Sequence, residues 1–566
     1  MEFIDWFVLI TTLVFIVSYG VWKTRGSKNV EDFLKGGNTS GWWTIGLSVM
    51  ATQASAITFL STPGQAFHDG MGFVQFYFGL PIAMVVICLV FIPLYHRLKV
   101  YTAYEFLENR FDLKTRSLTA MLFLIQRGLS AGITIFAPAI ILSAVLGWNL
   151  IFLNIFIGIL VIIYTVSGGT NAVSVTQKQQ MAVIFAGMFT AFFIIIQYLP
   201  ENITFSKALD IAGASGKMNI LDFSFDFDNQ KRYTFWSGII GGTFLALSYF
   251  GTDQSQVQRY LSGKSVKQSQ MGLIMNGILK VPMQFFILLV GIMVFVFYQF
   301  NPSPLNFNPV ATKSVVTSEY GEAYQKLETQ QLSNFEEKQQ AMYRYVASEK
   351  ETEKKSMQQT IIRLDKKDRT IRNEAKELIA KSSALVETND KDYVFIHFIL
   401  NNLPRGLIGL LLAVILSAAM SSTASELNAL GTTTTMDLYK RNLRREENET
   451  HYLKTSKWFT LLWGIIAISI ACVANLFDNL IQLVNIIGSI FYGNVLGIFL
   501  LAFFVRYVKG QAVFIAALIT QVIVIYGWYM DWMPYLWLNL FGCALVMAIA
   551  ILLQTFIKNP LQKTEG

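Results

Sequence analysis

Long apolar runs alternate with short polar ones along this chain, and thirteen of the apolar runs approach or exceed the roughly 20 residues an α-helix needs to cross hydrocarbon. They lie near residues 4–23, 44–67, 72–95, 117–146, 149–167, 177–199, 235–260, 270–299, 404–437, 453–476, 479–505, 511–530 and 533–557. The pattern predicts an all-α polytopic membrane protein embedded in a lipid bilayer. Basic residues gather in alternate polar stretches: Lys23, Arg25, Lys28 and Lys35; Arg97, Lys99, Lys114 and Arg116; Lys264 and Lys267; Lys440, Arg441, Arg444 and Arg445; Arg506 and Lys509; and Lys558. All of these fall on one side if the N-terminus is outside, which is what the positive-inside rule asks of a cytoplasmic face. The expectation is a multi-pass protein of the cell's inner (plasma) membrane with a cytoplasmic C-terminus.

One polar segment breaks the alternation and divides the chain into 1–300 (spans one to eight), 301–403 and 404–566 (spans nine to thirteen and a short tail). Between Lys313 and Asp392 there are 15 Lys or Arg and 15 Asp or Glu. Met357, Leu364, Ile371, Leu378 and Leu385 recur every seven residues, and Leu332, Phe335, Met342 and Val346 form a second stripe. Such stripes predict a helical hairpin, placed outside the membrane by the charge pattern. It reads either as a solvated spacer or, through residues 313–392, as a docking site for another envelope protein.

Composition agrees with the pattern and narrows the function. With 53% apolar and 14% charged residues among 566, the chain is not an ordinary soluble enzyme. The net charge of +8 comes largely from the basic loops, so it needs no nucleic-acid partner to explain it. Cys88, Cys472 and Cys543 lie far apart in apolar runs and offer neither a disulfide framework nor metal-ligand spacing. The first apolar run follows Glu2 and Asp5 rather than a basic segment, so it reads as a membrane helix and not as a cleaved signal. No nucleophile, metal set or phosphate loop appears, and the expectation is that the protein is not an enzyme.

Two spans are interrupted at polar or glycine positions. The second contains Ala51-Thr52-Gln53-Ala54-Ser55 and ends at Pro63-Gly64; the seventh carries Gly241-Gly242 and Gly251-Thr252-Asp253-Gln254. They open two successive groups of five helices, a first repeat over 44–199 and a second starting at 235, as expected of inverted-repeat transporters with broken helices. Freed carbonyls at such breaks can ligate a cation; a kinked helix with no site is the plainer alternative. In the ninth span Ser417, Ser421, Ser422 and Ser425 recur at three- and four-residue spacing and line one helical face, in a stretch that also holds the carboxylate Glu426. That face can present oxygens to an ion or merely allow close helix packing.

Several segments carry a resemblance. They are Tyr19–Gly20 with Phe33 to Gly37, SVMATQASAITFLSTPGQAF at 48–67, YTAYEFLENRF at 101–111, IYTVSGGTNAV at 163–173, TDQSQVQRYLSGKSV at 252–266 and SAAMSSTASELNALGTTTTMDLY at 417–439. Together they resemble the sodium/solute symporter family, which includes galactose, sialic acid, glucose, iodide and monocarboxylate symporters. The resemblance implies a LeuT-type fold of two inverted five-helix repeats. It also implies a Na⁺ site made by the carbonyls of Ala51, Ala54 and Ala418 and the hydroxyls of Ser421 and Ser422. A second Na⁺ site found in some members looks absent here, because its aspartate position is Gln177 and its serine pair is Ala424-Ser425. Lys178 beside that position and Glu426 on the facing helix suggest an ion pair that replaces the second ion, with snorkelling of Lys178 and protonation of Glu426 as the alternative.

By the same positional likeness Gln53, Ser55, Thr58, Tyr77, Arg127, Tyr249, Lys280 and Gln482 would face a small-molecule substrate. Tyr249 and Lys280 match residues that meet sugars. Tyr77 and Ala246 stand where the galactose symporter has a carboxylate and an asparagine, and Arg127 matches an arginine that receives the carboxylate of sialic acid. Asp253, within reach of Arg259, and Asp437, within reach of Lys440, read as anchors. The resemblance therefore implies a Na⁺-coupled importer of a sugar or sugar acid. A monocarboxylate or other organic-anion symporter, and a membrane sensor of the same fold, stay open.

Overall fold

The computed structural model describes residues 2–24, 39–225, 232–383, 386–473 and 480–557. Arg25, Lys28, Lys35, Leu385, Lys558 and the Phe33–Gly37 motif lie outside them. Nine helices among the described residues are long and apolar enough to cross a membrane, and a bent pair makes a tenth. Three shorter apolar helices, Phe3–Ile16, Leu150–Ile163 and Ser237–Gly251, fall on the remaining predicted crossings.

The elements used below are α1 (Phe3–Thr24), α2 (Trp42–Gln53), α3 (Ala56–Asp69), α4 (Met71–Leu98), α5 (Leu113–Leu146), α6 (Leu150–Gln197), α7 (Phe205–Ala214), α8 (Ser237–Gly251), α9 (Gln254–Leu261), α10 (Val266–Phe300), α11 (Gly321–Ala347), α12 (Glu351–Ser382), α13 (Val394–Asn402), α14 (Leu407–Leu443), α15 (Glu449–Val473), α16 (Leu480–Phe504), α17 (Gly510–Tyr529) and α18 (Tyr535–Phe556). Polar caps set several starts: Asp112 accepts from Thr115 N at 2.7 Å, and Asn149 accepts from Ile151 N at 2.9 Å, which satisfies amides that a helix end leaves open. The run α6 carries the fifth and sixth predicted crossings. Asn154 bonds to the Ala471 carbonyl of α15, whereas Gln180 bonds to the Ser417 carbonyl of α14.

Helix α14 is the axis of the bundle. It packs against α1, α2, α3, α5, α6 and α15, and from Ala413 to Ala419 every residue is buried. Inside a bundle that spans apolar lipid, such burial rests on close packing more than on hydrophobic transfer. Close approach also fixes α3 against α10, where a Cβ added at Gly291 would stand 2.3 Å from the Pro63 carbonyl oxygen. Contrary to expectation α3 does not end at Pro63-Gly64 but runs on to Asp69. Similarly Gly241 closes a π-turn rather than a break.

The polar insertion forms the expected hairpin, α11 against α12, but its buried face is displaced from the predicted stripes. Leu327, Asn334, Lys338 and Met342 are buried on α11, and Ile361, Leu364, Ile371, Ala375 and Ile379 on α12. Leu332 is exposed, while Met357, Phe335 and Leu378 are half-buried. Polar contacts share the seam with the apolar residues, Lys338 of α11 pairing with Asp365 of α12 at 3.0 Å and Asn334 donating to the Leu364 carbonyl at 3.1 Å, so the buried face follows the apolar stripes only in part. Nor is the hairpin a free spacer. Gln339 donates to the Phe300 carbonyl at 3.0 Å, Lys391 pairs with Asp69 at 2.6 Å, and Asp392 accepts from Leu480 N at 3.0 Å. Gly64 makes this docking possible, since a Cβ there would lie 1.8 Å from the Lys391 carbonyl oxygen.

At the other end of the bundle Asp437 is buried and pairs with Arg116 at 2.7 Å, also accepting from Thr102 Oγ1 at 2.7 Å. The partner expected from sequence, Lys440, instead lies over the Tyr452 ring at 4.7 Å. A neighbouring helix end reaches Asp437 more directly than a side chain one turn along its own helix.

Candidate ion and substrate site

The polar run in the second span breaks the helix where its composition suggested. The α2 ladder ends with Ala54 N donating to the Met50 carbonyl, and the next bond is Thr58 N to the Ser55 carbonyl. Ala54 (φ −86°, ψ 68°) and extended Ser55 (φ −71°, ψ 174°) carry the turn between them, and the two halves meet at 59°. The carbonyls of Ala51 and Ala54 thus fall in the gap between the two ladders. A second break, at Thr252 and Asp253, separates α8 from α9, with Asp253 accepting from Ser255 N at 2.9 Å as its cap.

Helix α14 packs directly on both halves of the first break. Ser421 and Ser422 are each 1% exposed. Ser422 Oγ donates to the Ala418 carbonyl at 3.0 Å, which leaves its lone pairs open, and Ser421 Oγ has no hydrogen-bond partner among the described residues. A buried hydroxyl without a partner costs about 1–3 kcal/mol, and a cation bound to its lone pairs removes that cost. Ala51, Ala54, Ala418, Ser421 and Ser422 therefore supply only neutral oxygens, a donor set that suits a hard monovalent cation.

Next to this face the expected relic of a second ion site is filled by a side chain. Gln177 is fully buried; its Nε2 donates to Thr52 Oγ1 at 3.1 Å and to Ser425 Oγ at 3.4 Å, and its Oε1 accepts from Ser48 Oγ at 2.5 Å. The amide group thus places hydrogens where a carboxylate would invite a cation. The ion pair anticipated between Lys178 and Glu426 is not formed. Lys178 stands half-exposed on α6, and Glu426 instead accepts from Arg127 Nη1 at 3.0 Å. Arg127 Nη2 also pairs with Asp253 and donates to Tyr492 Oη at 2.8 Å. Arg127 is thus held between two carboxylates, with its guanidinium 5.4 Å from the Tyr249 ring centre.

Six of the eight predicted substrate residues, Gln53, Ser55, Thr58, Tyr77, Arg127 and Tyr249, line one cavity of about 80 Å³ bounded by α3, α4, α5, α8, α14 and α16. Lys280 and Gln482 are not among its walls. Lys280 is fully buried behind Tyr77, its ammonium 5.8 Å from that ring, with no hydrogen-bond partner among the described residues. Gln482 accepts from Arg232 at 3.3 Å. Glu426, Thr134, Asn485 and Tyr492 also line the cavity, and sequence reasoning did not place them there. Glu426 was legible as a buried charge; Tyr492 and Asn485 sit in an unremarkable apolar span and gave no signal.

Paired helix breaks beside a buried hydroxyl face, closing on a small polar cavity inside a membrane bundle, define a membrane carrier of the broken-helix class. The sequence profile described as "Sodium:solute symporter family" matches residues 33–329 and 375–520, and the chain belongs to that family. Among curated relatives, a sodium-coupled monocarboxylate transporter 1 from Xenopus laevis is 34% identical over 49% of this chain and 44% of its own length. The human sodium/iodide cotransporter is 31% identical over 52% of this chain and 45% of its own. The chain thus spans about half the length of these relatives. The sodium/sialic acid symporter of Proteus mirabilis is 25% identical over 99% of this chain and 95% of its own. A solved structure of a Na⁺-coupled sialic acid symporter in a substrate-bound, outward-open state shares the fold, with a TM-score of 0.75 and 22% identity over 98% of each chain. The expected LeuT-type architecture accordingly stands.

Proposed function

We propose that this protein is a secondary active symporter that carries a small hydroxylated solute, a sugar or sugar acid, across the membrane with one Na⁺. The observation that carries the reading is the meeting of the first helix break with Ser421, whose buried hydroxyl lacks a partner, beside a cavity lined with hydroxyl, amide and aromatic groups. The cation binds Ala51, Ala54 and Ala418 through carbonyls and Ser421 and Ser422 through hydroxyls. It braces α14 against the break, so that the solute enters a cavity whose walls the ion has already fixed. Tyr77 and Tyr249 offer apolar faces to a ring, and Gln53, Ser55 and Thr58 exchange hydrogen bonds with its hydroxyls. The hairpin side is read as the outside by the charge pattern of the opposite loops.

One ion is enough to drive accumulation. A charge crossing 100 mV yields about 2.3 kcal/mol, and a tenfold Na⁺ gradient adds about 1.4 kcal/mol. Their sum sustains a solute gradient of roughly several hundredfold at one-to-one stoichiometry. The test is uptake of labelled galactose, sialic acid and lactate into proteoliposomes with a Na⁺ or a K⁺ gradient. Na⁺-dependent accumulation of a sugar or sugar acid is expected, whereas saturable binding without accumulation would favour the sensor reading.

Organic-anion transport is the second reading, favoured by the monocarboxylate transporter among the relatives matched over about half their length. Against it stands Glu426, which already occupies Arg127 at 3.0 Å, so an anionic solute must displace a carboxylate before it can use that guanidinium. A further expectation concerns the ion count. The wild type should show a Hill coefficient near one for Na⁺, and Gln177→Asp combined with Ala424→Ser should raise it towards about two. An unchanged coefficient in that variant would show that the space around Gln177 cannot hold a second cation.

A further inference from the structure

A larger cavity, about 270 Å³, lies away from the central site, between the hairpin and the ends of α3 and α10. Its volume is at the small end of ligand pockets, roughly 300–1,000 Å³, which suits one ring or a short chain. Phe67, Phe295, Tyr298 and Phe335 give it an aromatic wall. Its charges do not cancel locally. Lys338 pairs with Asp365 and Arg372 with Asp368, but Lys217 and Arg369 form no ion pair among the described residues, Asp69 and Asp365 acting on Lys217 only from beyond contact distance.

Lys217 is 6% exposed and donates to the His68 carbonyl at 2.5 Å. Its ammonium lies 5.0 Å over the Phe295 ring. Burial pushes it down to about 8, with Arg369 adding repulsion, so it is still mostly charged at neutral pH. Arg369 is exposed at the rim and has no ion-pair partner among the described residues. Two wall groups want donors: Gln299, 3% exposed, leaves its Oε1 without a hydrogen bond, and Asp365 leaves its Oδ2 so. Buried acceptors are normally satisfied, and these two share one cavity with Lys217, Arg369 and an aromatic face.

We propose that this cavity is a second ligand site, taking a small hydroxylated acid such as a sugar acid or hydroxycarboxylate. The ligand's carboxylate lies between Lys217 and Arg369, a group that guanidinium binds in a fork. Its hydroxyls donate to Gln299 Oε1 and Asp365 Oδ2, and its carbon face rests on Phe295 and Phe335. None of the proposed Na⁺ ligands lies in this cavity, so the acid needs no bound Na⁺ to reach its contacts. The ligand class follows from this cavity alone and stands apart from the identity of the transported solute. Because the cavity is walled by both α3 and the hairpin, a bound acid bridges the hairpin to the broken helix.

Calorimetric titration of the purified full chain with galacturonate and gluconate, in K⁺ and without Na⁺, tests the site, with galactose as the neutral control. Saturable binding of one acid, with galactose much weaker, is expected. Arg369→Ala should weaken it about tenfold or more, the loss of one charged contact, and Arg369→Lys should recover part of that. Arg369 is exposed, so its variants fold, and Gln53→Ala, which alters only the central cavity, should leave acid binding at this second site unchanged. No binding of either acid in K⁺, binding unaffected by Arg369→Ala, or equal binding of galactose would each overturn the proposal. Acid binding in K⁺ by a protein that accumulates nothing with Na⁺ would keep this site and sink the transport reading instead.

Discussion

Arg127→Met is expected to abolish solute accumulation and to destabilise the folded protein by about 3–5 kcal/mol, the cost of stripping the partner from a buried charge pair. Arg127 is 2% exposed and Asp253 2%, and the guanidinium is the ion-pair partner of both Asp253 on the α8–α9 break and Glu426 on α14. Methionine fills a similar volume but leaves two carboxylates facing one another in a membrane interior, where an uncompensated charge is costly. The comparison that isolates this effect is the triple variant Arg127→Met, Asp253→Asn, Glu426→Gln. It removes all three charges together, so it should regain most of the lost stability while transport stays absent. Thermal unfolding followed by size-exclusion recovery in one detergent would measure both variants. Lys178→Met, by contrast, should change stability little, because Lys178 is half-exposed and makes no ion pair among the described residues. Should Arg127→Met unfold at the wild-type temperature, the buried triad is not holding α5, α9 and α14 together.

The triad also shows where sequence reading stops. Crossings were legible because hydrocarbon thickness sets a length that apolar runs either reach or do not. The breaks were legible because Thr52, Gln53 and Ser55, and Gly251-Thr252-Asp253, place polar residues or glycine inside such apolar runs. What could not be read was rotation. Helices α5 and α6 are apolar on nearly every side, and the hydroxyl stripe of α14 does not include Glu426, so no polar stripe marks which neighbour that carboxylate meets. The sequence therefore paired Glu426 with Lys178 and left Arg127 to the substrate, and only the packing of α5 on α14 brings Arg127 to Glu426. Lys280 and Gln482 failed in the same way: the right helices were named, but Lys280 lies one side chain behind Tyr77 and Gln482 faces Arg232. The hairpin stripes erred by less, because there a water-facing side does exist, and Met342, Leu364 and Ile371 are buried as the stripes require.

The double substitution Ser421→Ala, Ser422→Ala is expected to remove Na⁺ dependence from transport. Each serine contributes one of five proposed oxygens, and losing a contact to a charged group costs about 1.5–3 kcal/mol, so the pair should raise the half-saturating Na⁺ concentration by roughly a hundredfold or more. Alanine is the better helix former, and the bonds lost are Ser422 Oγ to the Ala418 and Ala419 carbonyls, which the helix does not need for its own ladder. The fold should therefore survive, and unfolding temperature in K⁺ should match the wild type. The readout is the added stability that Na⁺ confers over K⁺, which mass action ties to ion affinity, measured beside the Na⁺ titration of uptake. If the serines only let α14 pack closely on the α2–α3 break, the variant would lose stability equally in both salts and keep its Na⁺ titration. Loss confined to the Na⁺ arm separates an ion ligand from packing, because a methyl in place of a hydroxyl changes the volume little but removes every lone pair the cation would use.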